Sequence, residues 1–371
     1  MPRKIFVGLS GGVDSAVSAA LLAEQGFDVT GVFVKIWQPE FIECTWREDR
    51  LDAMRVCAAL DIPFREIDLS AEYKKEVVDT MVADYARGIT PNPDVLCNST
   101  IKFGALASWA KNEGADALAT GHYAQRSDAS GHFELLRGRD AAKDQSYFLY
   151  RLKQSDLART YFPIGGLSKV DVRKEATRRL LPVATKPDSQ GLCFIGEVSM
   201  RDFLSRYITL VPGPVVDETG ARIGEHDGAA LYTIGQRHGF TTGSSVPQYV
   251  VGVDIATNTV RVSARREDGA RISVHLTDVS WVHREAPLGK PLRAQARYHE
   301  KPVEVTLSKE GSVLCATFAQ PHIASSGQSL VIYDGDTCLG GGVIVEKPST
   351  KPAKTPKTPA KQAVFTFDDS G

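Results

Sequence analysis

The sequence predicts an α/β domain built on a parallel sheet, followed by two small, mainly β domains. Over the first half, β-branched apolar runs alternate with amphipathic stretches of helical period, the order that gives parallel strands covered by helices. After about residue 200 the pattern becomes short alternating runs broken by Gly, Asp and Asn, which reads as all-β. At 371 residues the chain also exceeds one ordinary domain.

In order, residues 4–9 read as a buried strand, then a glycine-rich turn, then a helix over 15–25 closed by Gly26. Residues 29–36 form a second strand. A helix follows over 48–60, with Leu51, Met54, Cys57 and Ala58 at helical spacing. Residues 64–69 are a third strand, 71–87 a charged amphipathic helix, 101–112 a helix ending near Gly114, and 117–120 a fourth strand. Ser168 caps a helix over 168–180. In the β region, residues 250–254, 260–262, 303–307 and 329–333 alternate as strands of two barrels or sandwiches. These changes divide the chain into domains at 1–199, 200–273 and 274–346, with a Lys/Pro-rich tail over 347–371 too polar to bury a core.

Composition removes some classes. No apolar run is long enough to span a bilayer, and Met1-Pro2-Arg3-Lys4 leads into Ile5-Phe6-Val7 with no signal pattern. A cytoplasmic location without membrane partners is expected. The net charge of −1 leaves any nucleic-acid binding to local basic patches. Six cysteines with no CxxC pair suit neither a disulfide framework nor a zinc finger.

The strongest chemical signal is Ser10-Gly11-Gly12-Val13-Asp14-Ser15, between a strand and a helix. Glycines let the backbone approach phosphate, and the open N–H groups of a helix start hold anions. The segment is neither GxxxxGK[ST] nor GxGxxG. It resembles the pyrophosphate loop of the N-type ATP pyrophosphatases, which implies cleavage of ATP between its α and β phosphates and adenylation of a carbonyl oxygen.

Further segments narrow the resemblance. They are Thr90-Pro91-Asn92-Pro93-Asp94-Val95-Leu96-Cys97-Asn98, Ile101-Lys102-Phe103-Gly104, Gly121-His122-Tyr123, Lys143-Asp144-Gln145-Ser146-Tyr147-Phe148-Leu149, Asp188-Ser189-Gln190-Gly191-Leu192-Cys193-Phe194-Ile195-Gly196 and Tyr232-Thr233-Ile234-Gly235-Gln236-Arg237. In wording and order these resemble the bacterial tRNA-specific 2-thiouridylases (MnmA type), over about residues 4–345.

The resemblance implies an adenine-nucleotide α-hydrolase-like (PP-loop) first domain and an ATP-dependent sulfurtransferase acting on the wobble uridine of tRNA. Gly8, Leu9, Ser10, Gly11, Gly12, Val13, Asp14 and Ser15 would bind ATP, with Val34 beside the adenine and Gly121 admitting close backbone approach. Cys193 would carry a persulfide, Cys97 would resolve it and leave a Cys97–Cys193 disulfide, and Asp94 would act as acid/base. Asn92, Pro93 and Asp94 would meet a target base splayed out of its loop. His122, Lys143, Asp144, Gln145, Arg297, Tyr298 and Gln328 would contact tRNA, Arg297-Tyr298 as a stacking pair. Cofactors would be ATP, Mg²⁺ brought on the nucleotide, and a persulfide donor. No permanent metal is expected, an iron–sulfur cluster on Cys97, Cys193 and a further ligand being the minor variant. Partners would be tRNAs for Lys, Glu and Gln and a sulfur-relay protein or cysteine desulfurase.

Residue chemistry alone leaves each cysteine open as a small core residue, and Cys44, Cys57, Cys315 and Cys338 keep that reading. Two other functions stay open: a PP-loop synthetase acting on a small substrate, and an ATP-gated tRNA-binding protein without turnover.

Overall fold

The computed structural model describes residues 2–41, 46–129, 131–188 and 198–345. Cys44, Cys193 and the 347–371 tail therefore lie outside the described residues.

Five parallel strands make the first sheet, in the order β3-β2-β1-β4-β7: β1 is Lys4–Leu9, β2 Asp28–Lys35, β3 Phe64–Asp68, β4 Ala117–Ala119 and β7 Thr160–Tyr161. Strands β5 (Ala124–Ala129) and β6 (His132–Arg137) form a hairpin outside this sheet. From β1 the chain steps to β2 on one side, while β4 pairs on the other. The crevice beyond the carboxyl ends of β1 and β4 is thus the switch point where such sheets bind ligands. Ile5, Phe6 and Val7 are fully buried, as expected of a central strand covered on both faces.

Helix Trp46–Ala59 does not bury the face expected from its sequence. Leu51 and Met54 are exposed, while Asp52, Ala53, Val56 and Cys57 are buried. Close packing on β2 sets this face: a Cβ on Gly31 would lie 2.4 Å from the Cys57 sulfur. Burial pushes the Cys57 thiol up to about 11, so it is a structural cysteine.

The helical run expected to begin at Ile101 begins at Pro93. Asn92 caps it by accepting from the Val95 N–H at 3.3 Å, and Pro93 takes the first position, where a missing N–H costs nothing. The run continues as a wider π-helical stretch, Cys97–Leu106, then as Ala107–Asn112. Such stretches recur at functional sites.

The central domain is a five-stranded sheet of β8 (Gly213–Val216), β9 (Arg222–His226), β10 (Phe240–Thr242), β11 (Tyr249–Asp254) and β12 (Thr259–Ser263). In the last domain β13 (Arg271–Trp281), β14 (Pro291–Gln295), β15 (Val303–Glu310), β16 (Val313–His322), β17 (Ser329–Asp334) and β18 (Thr337–Val345) close into a barrel through a β13–β18 pairing. The β5–β6 hairpin extends this sheet, with Leu135 opposite Cys338 and Leu136 opposite Thr337. The first domain thus lends two strands to the last, a crossing no local pattern announces.

Candidate active site

Residues Ser10–Ser15 leave the end of β1 in a tight turn. Gly11 holds φ +74°, and a Cβ there would lie 2.5 Å from the Asp49 carbonyl oxygen, so the position admits only glycine. Gly12 is the N-cap of helix Val13–Glu24 and offers no side chain to its first N–H groups. Those donors remain available to an anion. Within the turn, Ser15 Oγ accepts from the Ser10 N–H at 3.2 Å and donates to the Gly12 carbonyl at 3.1 Å. Gly121, just past β4, backs the loop: its Cβ would meet the Ser15 nitrogen at 2.7 Å. The close approach expected of Gly121 is to the loop backbone.

Asp14 is locked. Lys169 reaches its two oxygens at 2.7 and 2.9 Å, and Tyr123 Oη donates at 2.8 Å. Burial and the Asp14 carboxylate together push the Tyr123 phenol well above its ordinary value. Lys169 also pairs with Asp188 at 2.8 Å, as do Lys143 at 2.9 Å and Arg173 at 2.6 Å. Burial pushes the Asp188 carboxyl up, but hydrogen bonds from Lys169 and Lys143 prevail and hold it at about 2. Lys169 thus joins the loop to a cluster of Lys143 and Arg173 on Asp188, while Lys186 pairs with Asp49, whose carbonyl lies against Gly11, and with Asp52. Val34 lies near the end of β2, half-buried against the core.

On the neighbouring helical run, Asp94 is half-buried and Cys97 is 8% exposed. Burial raises the Asp94 carboxyl, opposed by the positive charge of Lys102. Asn98 Nδ2 donates to the Asp94 carbonyl at 2.9 Å, while its buried Oδ1 has no hydrogen-bond partner. His122 is buried, its ring 6.0 Å from Phe103 and its Nδ1 2.8 Å from Thr120 Oγ1. Burial, then Lys102, hold His122 well below its ordinary value, so it is a neutral imidazole inside the protein. Phe103, six residues after Cys97 on the same helical run, thus packs against the residue beside Gly121, which in turn backs the phosphate loop.

Several residues expected at the tRNA are held by the protein itself. Asp144 is buried, paired with Arg137 at 2.8 Å and accepting the N–H groups of Gly138 and Ser146. Gln145 Oε1 accepts from the Tyr123 N–H at 3.0 Å. Gln328 Nε2 donates to the carbonyls of Thr90 and Pro91, each at 2.9 Å. Arg297 donates to the Ile234 carbonyl and to Ser325 Oγ, joining the barrel to the central domain. Tyr298 is half-buried, 4.3 Å from the Phe148 ring. Burial, then the charges of Asp144 and Asp94, push its phenol up to about 12. Cys193 lies outside the described residues, which end before it at Asp188.

Sequence reading gave no role to Lys169, nor to Tyr123 and Lys102, which it met only inside longer motifs. Lys169 directly follows the capping Ser168, whose Oγ accepts from the Asp171 N–H at 3.1 Å. The cap was a signal for a helix start but not for where that start points.

Three family matches tile the chain: the tRNA methyl transferase HUP domain over residues 3–197, the tRNA methyl transferase PRC-barrel domain over 201–264, and the aminomethyltransferase beta-barrel domain over 271–344. The tRNA-specific 2-thiouridylase MnmA of Nitrosomonas eutropha is 45% identical over 355 residues, covering 92% of this chain and 98% of that protein. The enzyme of the same name from Ralstonia pickettii is 44% identical, covering 92% and 96%. That from Paraburkholderia phymatum is 42% identical, covering 98% and 99%. With a glycine-built anion cradle at the sheet's switch point, an acid and a thiol on the adjoining helix, and near full-length similarity to these proteins, the chain belongs to the tRNA-specific 2-thiouridylase family.

Proposed function

We propose that this chain makes 2-thiouridine at the wobble position of tRNA, using ATP to turn the C2 oxygen into a leaving group. The observation that carries this reading is a packing link: Phe103, on the helical run of Asp94 and Cys97, lies 6.0 Å from the His122 ring, and Gly121 beside it abuts the phosphate loop at Ser15. One crevice then serves both adenylation and sulfur transfer.

The glycine turn and the open helix start suit the phosphates of ATP. Mg²⁺ arrives on the nucleotide, since Asp14 is already engaged by Lys169 and Tyr123. Uridine O2 attacks the α-phosphorus, the bond to the bridging oxygen breaks, and pyrophosphate leaves with the electron pair. The terminal sulfur of a Cys193 persulfide then attacks C2, and AMP departs with the oxygen. Cys97 attacks the Cys193 sulfur, and the S–S electrons stay on the sulfur at C2. This frees 2-thiouridine and forms a Cys97–Cys193 disulfide, which an external thiol reduces with two electrons. Asp94, whose burial keeps its proton to higher pH than an ordinary carboxyl, is the acid/base at the base ring.

Asn92, Pro93 and Asp94 border the target base, and Tyr298 offers it a ring face. Lysine, glutamate and glutamine tRNAs are the expected acceptors, and a cysteine desulfurase or relay protein the sulfur source. Among the described residues no helix is long and apolar enough to cross a membrane.

The test is reconstitution with a cysteine desulfurase, ATP, Mg²⁺ and unmodified tRNA, read by nucleoside mass spectrometry. 2-Thiouridine in the native reaction and none with Cys193→Ser supports the reading. ATP–pyrophosphate exchange driven by a small acid without tRNA would overturn it. tRNA binding with no thiolated product would make the chain a binding module. Iron with a visible absorption band in anaerobically purified protein would replace the persulfide with a cluster.

A further inference from the structure

We propose that Gln328 and Thr233 are positioning residues: the two β domains grip residues 88–91 and thereby set where Asn92, Asp94 and Cys97 stand. The proposal rests on the thiolation reading above.

The grip is made of separate contacts from both domains. Gln328 Nε2 spends its hydrogens on two successive carbonyls, Thr90 and Pro91, each at 2.9 Å. The Thr90 N–H donates to the Ser326 carbonyl at 3.3 Å. From the central domain, Thr233 Oγ1 lies 2.7 Å from Thr90 Oγ1. Gly327, at φ +89°, brings backbone against backbone: a Cβ there would lie 2.6 Å from the Thr90 oxygen. On the opposite flank a Cβ on Gly88 would lie 2.3 Å from Ile255 Cγ1. Tyr147 adds a fixed post, donating to the Ser329 carbonyl at 3.0 Å with Asn92 Nδ2 3.5 Å from its oxygen.

The chemistry of the loop explains why a glutamine does this work. Pro91 and Pro93 carry no N–H, so the loop can be held mainly through its carbonyls, which need a donor. Asn92, the next residue, caps the helix carrying Asp94 and Cys97. A shift at Thr90–Pro91 therefore passes directly into the start of that helix. A misplacement of about 1 Å is enough to cost about 100-fold in a reaction of this kind.

The test compares Gln328→Glu, which replaces the donor with a carboxylate facing two carbonyls, and Thr233→Val, which removes one hydroxyl at constant shape. Thr233→Ser restores the hydroxyl. Single-turnover thiolation at saturating tRNA, tRNA Kd and hydrogen–deuterium exchange over residues 86–98 are measured for each. The expected result is a rate lowered about tenfold in Thr233→Val, the size of one net hydrogen bond, and by more in Gln328→Glu, which loses two. Thr233→Ser stays near native, tRNA Kd in Thr233→Val stays within about twofold, and exchange over 86–98 is faster in the two impaired variants. An unchanged saturating rate with a raised Kd makes Gln328 a tRNA contact and overturns the proposal. Unchanged exchange over 86–98 overturns it as well. Because exchange needs no turnover, it decides the grip even if the native protein makes no 2-thiouridine. Thr233→Val keeps the question answerable if Gln328→Glu does not fold.

Discussion

Lys169 donates to both oxygens of Asp14, at 2.7 and 2.9 Å, across 155 residues of chain. The pair ties the helix after Ser168 to the phosphate loop and leaves the same ammonium 2.8 Å from Asp188.

Removing that ammonium leaves Asp14 without its cation where an anionic nucleotide must sit. Lys169→Met should raise the KM for ATP about tenfold or more, the cost of stranding a part-buried charged group. Lys169→Arg should recover part of the loss. Initial rates of pyrophosphate release against ATP concentration check this.

Gly121 bears on the loop from behind. In Gly121→Ala the new methyl would stand 2.7 Å from the Ser15 nitrogen, so the loop must give way. Affinity for a nonhydrolysable ATP analogue should fall about tenfold or more, an overpacking cost of 1–3 kcal/mol. tRNA affinity should change little. Calorimetry with each ligand separates the two.

The Asp94 carboxyl is raised by burial, so its charge is a burden on the folded state. The sign follows from linkage. Below the unfolded value near 3.8 both states hold the proton and the group is neutral to stability; as pH rises through the folded value, stability is lost. Asp94→Asn should therefore raise the melting temperature at pH 7 to 8, with the gain vanishing near pH 3.5, while abolishing thiolation. Melting curves across that range are the check.

Lys102 opposes the burial of Asp94. Lys102→Met should move the Asp94 ionisation further up and shift the acid limb of the pH–rate profile to higher pH. The same change relieves His122 of a charge that lowers its own ionisation. A profile that stayed in place would show that Asp94 does not govern that limb.

Much of this was legible in the sequence. The loop at Ser10–Ser15 announces itself because glycines and hydroxyls at a strand–helix junction have few other uses, and the parallel sheet follows from its apolar runs. Less visible were the residues that hold the site. Gln328 reads as a tRNA contact by resemblance, and nothing in the sequence shows its partners at Thr90 and Pro91. His122 reads as a tRNA contact by resemblance, and its depth against Phe103 and Phe162 is not visible in the sequence. The start of the helix at Pro93 was missed because Asn92-Pro93 resembles an extended turn, and the same pair also makes a cap and a first helical residue. Contacts between distant segments leave no periodic trace, so pattern reading finds the elements and misses the joints.

The hairpin of β5 and β6 leans on β18, the last strand of the described residues. During synthesis, Leu135 and Leu136 would leave the ribosome some two hundred residues before Thr337 and Cys338 exist to meet them. Until then an open strand edge stands exposed, the kind of surface that invites pairing with a wrong neighbour. A nascent chain halted near residue 300 should therefore carry an unfinished first domain, and only completion of the barrel seals it.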